Sequence, residues 1–144
     1  MKIKKIKDVK TPTRGTSKSA GFDFYIPNDF NLGENFNLLP QKSINIPSGI
    51  ICEVPDGYAL VAFNKSGVAL KGLQVGACVV DEDYTGEVHL HIINTTENNI
   101  NIQPGQKLVQ FLLIPVLYDT IEVVDELERE TERGSGGFGS TGLQ

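Results

Sequence analysis

The sequence of 144 residues has little of what marks secreted, disulfide-linked or membrane-spanning proteins. Its two cysteines, Cys52 and Cys78, form no C-x-x-C pair, which favours two small buried thiols in a reducing compartment. No apolar run approaches the roughly 20 residues that a membrane helix needs, and the first residues, "MKIKKIKDVK", lack the apolar core of a secretory signal. We therefore expect a soluble, intracellular protein of the cytoplasm, or of the host cytoplasm if the source is viral, with no membrane partner.

Positive charge is also scarce. Lys and Arg number 13 against 18 Asp and Glu, which gives a formal net charge of -5. A protein that binds the phosphate backbone of a nucleic acid normally has a basic face, so we expect no nucleic-acid polymer as a partner. A small anionic ligand is compatible with this charge, because a few local cations or a metal ion can reverse the local field.

Short apolar runs separated by turn residues make up most of the chain, at 43–46, 49–54, 58–63, 75–80, 88–93, 108–114 and 121–124. Their spacing and β-branched content predict an all-β sandwich or barrel. "VPDGY" at 54–58 predicts a turn that makes a hairpin of the flanking runs, and "KSGVALKG" at 65–72 predicts a short helix. We expect one β domain over 1–128 and a flexible, glycine-rich arm over 129–144.

One turn concentrates negative charge. "VVDEDYTGEV" at 79–88 places Asp81, Glu82 and Asp83 together between alternating apolar residues, although like charges repel. A purely structural turn needs only Asn-Gly or Asp-Gly. The cluster therefore indicates a functional hairpin, in which a nearby cation would offset the repulsion.

Five segments, taken together, resemble the ordered motifs of one enzyme family. They are "SAGFDFYIP" (19–27), "NKSGVA" (64–69), "VGACVVDEDYTGEV" (75–88), "GQKLVQ" (105–110) and "RGSGGFGSTG" (133–142). In this order they resemble the trimeric dUTPases, which hydrolyse dUTP to dUMP and pyrophosphate with Mg2+. The resemblance implies a distorted jelly roll of the β-clip type and a homotrimer with active sites at subunit junctions. It also implies that the C-terminal arm closes over the site, and that the protein limits uracil in DNA and supplies dUMP for dTMP synthesis.

The resemblance implies three catalytic residues. Asp81, on its rigid hairpin, would accept the proton of the attacking water, whereas Glu82 and Asp83 would shape the turn or face solvent. Asp23 would hold water around the metal or, as an alternative, anchor a neighbouring loop. Gln110 would hold an α-phosphate oxygen or the attacking water, with a satisfied buried amide as its alternative.

Phosphate binding is implied for the second segment. Ser66 and Gly67 would offer a hydroxyl and backbone N–H groups to phosphate, although Ser66 could also cap a helix. Lys65 would add positive charge where the family usually has arginine. Because lysine lacks the planar bidentate fork, its contact geometry stays open.

Base and sugar recognition is implied for the third segment. Tyr84 would pack beside the sugar and leave no space for a 2'-hydroxyl, or would only pack across strands. Uracil would pair with open backbone groups around 75–77 and 84–86. Val75, Gly76 and Val80 are the further expected contacts.

The glycine-rich arm admits two interpretations. "GSGGFGST" is similar to the phosphate loop G-x-x-x-x-G-K-[ST], but serine stands in the lysine position, so this interpretation fails. The resemblance implies instead that the arm folds over the nucleotide and excludes water. Arg133, Gly139 and Ser140 would face the phosphates, and Phe138 would stack on the uracil.

Mg2+ is the implied cofactor, held mainly by the triphosphate and by waters rather than by protein ligands. His89 and His91 lie two apart on one strand face, but the sequence supplies no third zinc ligand at a suitable spacing. Two other functions stay open. One is a dCTP deaminase-like nucleotide enzyme, which shares the fold. The other is a non-catalytic trimeric nucleotide-binding or regulatory module, for which Lys65 is the only support.

Overall fold

The computed structural model describes residues 1–30, 36–77, 79–128 and 130–137. Within these ranges the chain forms ten β-strands and one short helix. The elements in chain order are β1 (Lys2–Lys5), β2 (Phe22–Phe24), β3 (Phe36–Leu38), β4 (Ser43–Glu53), β5 (Tyr58–Asn64), α1 (Ser66–Ala69), β6 (Leu73–Val75), β7 (Val79–Val80), β8 (Glu87–Asn94), β9 (Ile100–Ile102) and β10 (Val109–Pro115). No helix in this part of the chain is long and apolar enough to cross a membrane.

The strands form two four-stranded sheets and one two-stranded sheet. One large sheet has the order β1-β4-β8-β6, the other has the order β2-β10-β5-β7, and β3 pairs with β9. All of these pairings are antiparallel. The predicted all-β class is therefore confirmed, and the predicted short helix forms as α1.

Residues of both large sheets build the core. In β8 the side chains of Val88, Leu90 and Ile92 are at most 1% exposed, because the period of two turns every second side chain inward. The other sheet contributes Phe24 and Phe111, whose ring centroids lie 4.5 Å apart. Burying each such side chain stabilises the fold by about 1.5–3 kcal/mol.

Two turns join strands of different sheets, which corrects the predicted hairpins. The turn at 54–58 forms as expected, with Tyr58 N donating to Pro55 O at 3.1 Å, but the flanking β4 and β5 lie in different sheets. The acidic turn at 81–86 likewise joins β7 to β8, which also lie in different sheets. Turn residues indicate where the chain reverses but not which partner each strand finds.

The predicted strand at 121–124 is wrong. Residues 116–128 form no strand in the structure, and the large apolar side chains from Leu117 onward are exposed, with Leu117 and Ile121 at 95% and Val123 at 93%. The sequence has the apolar pattern of a strand, but within the described residues of the single chain this segment pairs with no strand at the edge of a sheet.

A buried amide organises the loop after β8. Asn94 is 0% exposed, and its Nδ2 donates to the carbonyl oxygens of Leu38, Leu39 and Asn98. Its Oδ1 accepts from Thr96 N at 2.9 Å. The side chain of Asn94 therefore satisfies backbone groups inside the fold.

Cys52 lies in the core at 3% exposure. Burial raises the pKa of its thiol to about 11, because the charged thiolate loses its hydration. The thiol is therefore protonated at neutral pH, in agreement with a small buried side chain. Cys78 lies outside the described residues.

Candidate active site

An open cleft of about 550 Å³ collects most of the residues expected to bind phosphate. We call it the lysine cleft, and it is lined by Lys65, Ser66, Gly67, Val68, Lys71, Lys107 and Gln110. These residues come together because β5, which leads into α1, pairs with β10 along its whole length. Three ammonium groups around one cleft create a positive local field in a chain of negative net charge, which suits a polyanionic ligand.

Asp23, on β2, lies beside this cleft and holds two of its lysines. Its side chain is only 7% exposed. Lys65 Nζ donates to Oδ1, and Lys107 Nζ donates to Oδ2 at 2.8 Å. Asp23 thus anchors two neighbouring segments, which is one of the two roles left open by the sequence.

The two lysines determine the charge of Asp23. Burial alone would raise the pKa of this carboxyl, but hydrogen bonds from Lys107 and Lys65, together with their positive charge, lower the pKa below its ordinary value of 3.8. The hydrogen bond to Asp23 raises the pKa of Lys107 in turn. Asp23 and Lys107 are therefore both charged at neutral pH.

Gln110 is held in the cleft by β2 and by Asn64. Its Nε2 donates to Asn64 O at 2.8 Å. Gly21 leaves room for the side chain, since a Cβ at this position would lie 2.6 Å from Gln110 Oε1. Asn64 Oδ1 also accepts from Val75 N at 2.7 Å. Asn64 therefore links the lysine cleft to the predicted base-binding segment, a role that the sequence did not reveal.

Helix α1 does not use Ser66 as its cap, so the capping alternative is wrong. The N-cap residue is Lys65, with an extended φ of -91 and ψ of 128, and it makes no side-chain cap hydrogen bond. Ser66 and Gly67 begin the helix and are exposed. N–H groups in the first turn of a helix lack intrahelical partners, so those of Ser66 and Gly67 face no competition from the helix itself.

A second cavity of about 280 Å³ lies beside the acidic turn. We call it the tyrosine cavity, and it is lined by Asn45, Ala77, Val79, Val80, Tyr84, Glu87, Val88, His89, His91 and Phe111. Of the residues expected to bind the base and sugar, Val80 and Tyr84 line it. Among the described residues, Val75 and Gly76 are outside its lining.

Tyr84 has a fixed position in this cavity. Its hydroxyl donates to Glu87 O at 3.0 Å, and its ring lies against Gly86, where a Cβ would clash with the hydroxyl. The side chain is 44% exposed. The hydroxyl end of the ring is thus held by the turn, and the exposed part is accessible to a ligand.

His91 forms a wall of the tyrosine cavity. Its ring lies so close to Gly76 that a Cβ there would clash with Nδ1, and Gly76 N donates to His91 O at 3.0 Å. The sequence suggested this histidine only as a weak zinc ligand. Within the described ranges, no group of three or more His, Cys, Asp or Glu side chains could hold a metal ion.

Asp81 begins the acidic turn and is exposed. Its carbonyl oxygen accepts from Tyr84 N at 3.2 Å. The next residue, Glu82, accepts a hydrogen bond from Gly57 N through Oε2, which ties the acidic turn to the 54–58 turn. Gly57 has a φ of +77, a conformation that glycine adopts without strain. Glu82 therefore restricts the position of its neighbour Asp81.

Several backbone donors near the tyrosine cavity are already used within the chain. Val75 N bonds to Asn64, Gly76 N to His91, and Tyr84 N to Asp81. Pairing of uracil with the segments 75–77 and 84–86 stays a prediction. It would have to use the other backbone groups of these segments.

The arm is described only as far as residue 137. Arg133 Nε donates to Gly136 O at 2.8 Å, which closes a local turn. Phe138, Gly139 and Ser140 lie outside the described residues. Closure of the arm over a nucleotide therefore stays a prediction, as does the boundary between domain and arm.

Lys107 was not among the residues expected from the sequence, although a signal for it was present. Asp23 stands between Phe22 and Phe24 in a strand-like segment, and a carboxylate in apolar surroundings needs cationic partners. Lys65 and Lys107 lie in two of the other segments that carried the resemblance. The need for a partner could have been inferred, but not which lysine supplies it.

Comparison with known proteins supports the interpretation of these segments. A family model described as dUTPase matches residues 7–142. The deoxyuridine 5'-triphosphate nucleotidohydrolase of Kluyveromyces lactis is 39% identical over 138 residues, which cover 94% of this chain and 88% of that protein. Its namesake from Chlamydia pneumoniae is 40% identical, covering 91% and 90% of the two chains, and that of vaccinia virus strain Copenhagen is 33% identical, covering 99% and 92%.

This chain belongs to the dUTPase family. Solved structures agree with its fold. A variant of the Staphylococcus bacteriophage 80alpha dUTPase with dUpNHpp has a TM-score of 0.84 at 24% identity, and the match covers 99% of this chain and 98% of that one. A variant of the dUTPase from phage phi11 of S. aureus, whose structure shows the coordination of a structural Mg(II) ion, has a TM-score of 0.76 at 20% identity, with 89% and 98% covered. The predicted jelly-roll fold of the dUTPases is confirmed.

Lys65 is the residue at which the resemblance led us to expect arginine. The structure shows what the lysine does in this chain: its single ammonium group pairs with the buried carboxylate of Asp23. A guanidinium could reach two acceptors with a planar pair of donors, whereas an ammonium group acts as a point charge.

Proposed function

We propose that this protein is a dUTP diphosphatase, which hydrolyses dUTP to dUMP and pyrophosphate, limits uracil in DNA and supplies dUMP for dTMP synthesis. The observation that carries this proposal is the lysine cleft, which gathers residues of the second and fourth family segments into one cationic site. The family match over residues 7–142 supports the same activity.

The lysine cleft would bind the triphosphate. Lys65 and Lys71 bring positive charge, and Ser66 and Gly67 bring first-turn N–H groups and a hydroxyl. Gln110, fixed by Asn64 and Gly21, would hold an α-phosphate oxygen or the attacking water. Catalysis of phosphoryl transfer depends largely on such positioning and electrostatic stabilisation.

Asp81 would act as the general base. Its carboxylate would take the proton of the water that attacks phosphorus, a step that typically accelerates a reaction by about 10²–10⁴-fold. The hydrogen bond from Gly57 N to Glu82 and the bond from Tyr84 N to Asp81 O support this role, because they hold the turn on either side of the carboxylate.

Tyr84 would select deoxyribose. Its ring is fixed against Gly86 and by its bond to Glu87 O, so that a 2'-hydroxyl packed beside it would have no space. Arg133 and Phe138 would add contacts when the arm closes, with Gly139 and Ser140 facing the phosphates.

Mg2+ fits this site as an ion brought by the triphosphate. The described residues supply no group of three or more side chains that could hold a metal, and both oxygens of Asp23 already accept hydrogen bonds from lysines. An ion that prefers oxygen ligands and keeps several waters can be held by phosphates with little help from the protein. When bound, it supplies positive charge that neutralises the phosphate oxygens.

A homotrimer is part of the proposal, because one complete site could be formed from the lysine cleft of one copy and the tyrosine cavity of another. The lysine cleft and the tyrosine cavity have no lining residue in common within the described chain. The exposed apolar segment 116–128 supports assembly, because a second copy could cover its side chains. Sedimentation equilibrium would measure the stoichiometry, and a species with the mass of one chain at all concentrations would contradict the trimer.

One assay separates the candidate activities. Purified protein with Mg2+ is incubated separately with dUTP, dCTP, dTTP and UTP, and the release of pyrophosphate and ammonia is followed. Pyrophosphate from dUTP alone supports the proposal, and its absence would refute it. Ammonia from dCTP would support a deaminase, and binding without turnover would support a regulatory module.

A further inference from the structure

Asp23 has more positive charge around it than its own neutralisation requires. Two ammonium groups, those of Lys65 and Lys107, contact one carboxylate. The pair with Lys65 is the more buried: the side chain of Lys65 is 23% exposed, whereas that of Lys107 is 49% exposed. Both lysines also line the cleft in which a phosphate would bind.

A single lysine at this point could not serve both anions fully. If Lys65 alone balanced Asp23, movement of its ammonium group towards a phosphate oxygen would weaken its pairing with a carboxylate that is 7% exposed. Leaving a buried charge unpaired is strongly destabilising. Lys65 would then stay with Asp23 and contribute little to binding.

We propose that Lys107 is a positioning residue: it keeps Asp23 paired at Oδ2, so that the charge of Lys65 serves the bound phosphate. This inference rests on the proposed function and assigns a role to a lysine that had none.

The register of the sheet favours an indirect role for Lys107. β2 pairs with β10 with Asp23 opposite Gln110, and this pairing brings the segment that leads into β10 within reach of Oδ2. The hydrogen bond from Lys107 to Asp23, at 2.8 Å, is a charge-assisted contact with a fixed, buried partner. Lys71 provides the contrast, since it lines the same cleft and makes no ion pair with Asp23 in the described chain.

A double-mutant cycle tests the inference. Binding of dUpNHpp, and separately of inorganic triphosphate, is measured by calorimetry for Lys107→Gln, Asp23→Asn and the double variant. We expect Lys107→Gln alone to weaken binding about tenfold, because Lys65 would then stay with Asp23 and its charge-assisted hydrogen bond to the phosphate would be lost. In the Asp23→Asn background the same change should have a much smaller effect than in the wild type, because Lys65 no longer has a carboxylate to balance.

The matched control is Lys71→Gln, which should weaken binding by the same factor in both backgrounds. Lys107→Arg should restore most of the affinity, since arginine also pairs with a carboxylate. Steady-state kinetics should show a raised KM for Lys107→Gln with a smaller change in kcat, and thermal melts should confirm that each variant is folded. A purely structural role would lower the melting temperature without this split.

Two results would overturn the inference. One is an equal loss of affinity from Lys107→Gln in both backgrounds, which would show direct contact with phosphate. The other is unchanged binding in the single variant. If the proposed function is wrong, the wild-type protein will release no pyrophosphate from dUTP. The cycle with inorganic triphosphate would still report on the interaction of Asp23, Lys65 and Lys107.

Discussion

The side chains of the lysine cleft and those of the tyrosine cavity are held in place by different interactions. In the cleft, the groups are held by charge: one buried carboxylate, Asp23, pairs with two lysines. Around the cavity, they are held by backbone hydrogen bonds and by glycines that allow close packing, as at Gly86 under Tyr84. Function and stability should therefore depend on charge in the cleft, and on side-chain and backbone shape in the cavity and its acidic turn.

The largest expected effect divides chemistry from binding. Asp81→Asn should lower kcat by about 10²–10⁴-fold, because the general base is lost, while leaving the binding of dUpNHpp nearly unchanged. Steady-state turnover assays would measure kcat, and calorimetry would measure the binding of dUpNHpp. Asp83→Asn is the matched control, since it removes a charge from the same turn. Equal losses in both variants would mean that the turn acts through its total charge and not through Asp81.

A second effect concerns the arm. A chain that ends at Glu132 should fold and assemble as the full chain does but lose roughly a hundredfold in kcat/KM, because water is no longer excluded and the phosphates are less well oriented. Sedimentation and pyrophosphate release would be compared with those of the full chain. A truncated protein with full activity would show that the arm takes no part in the reaction.

A smaller effect is expected from the tie between the two turns. Glu82→Ala leaves Gly57 N without its acceptor, and it should lower the free energy of unfolding by about 1 kcal/mol. It should also lower kcat by about tenfold, since Asp81 would be less well positioned. Glu82→Gln keeps an acceptor oxygen and should recover most of both quantities. Identical behaviour of the two variants would show that charge, not the hydrogen bond, matters here.

The smallest expected effect is a change in the free energy of unfolding at low pH. The pKa of Asp23 is lowered in the folded chain, so its contribution to stability is complete above its unfolded value of 3.8 and is lost as the pH falls through the folded value. The difference in unfolding free energy between the wild type and Asp23→Asn should therefore shrink below about pH 4. Urea titrations at several pH values would measure it. Glu53→Gln, which breaks an exposed pair with Lys2, should have little effect at any pH.

Much of this contrast could be predicted from the sequence. The alternation in 88–93 predicts β8, and the five segments contain most of the residues that line the two regions. The three-residue strands β3 and β9 were missed, because so short a run has no measurable period. The sheet to which each strand belongs could not be predicted from the sequence either. Nothing local in "VPDGY" tells that β5 leaves β4 to pair with β10, a contact between residues about 50 positions apart.

The partners of the charged residues were equally hidden. A lysine in a motif can be assigned to a phosphate from its type alone, but its pairing with Asp23 depends on how β2 and β10 align. The same holds for Asn64, whose contacts with Gln110 and Val75 join three separate segments. Such contacts are properties of the fold, and a linear pattern carries only the residue types that make them possible.

Under the proposed trimer, the exposed leucine, isoleucine and valine side chains beyond Pro115 would make catalysis depend on the concentration of the protein. If copies must cover these side chains before a complete site exists, specific activity should decline when a stock is diluted past the point at which the copies separate. A cell that makes only a few molecules would then contain almost no active enzyme. The rate of hydrolysis would rise more steeply than the amount of protein.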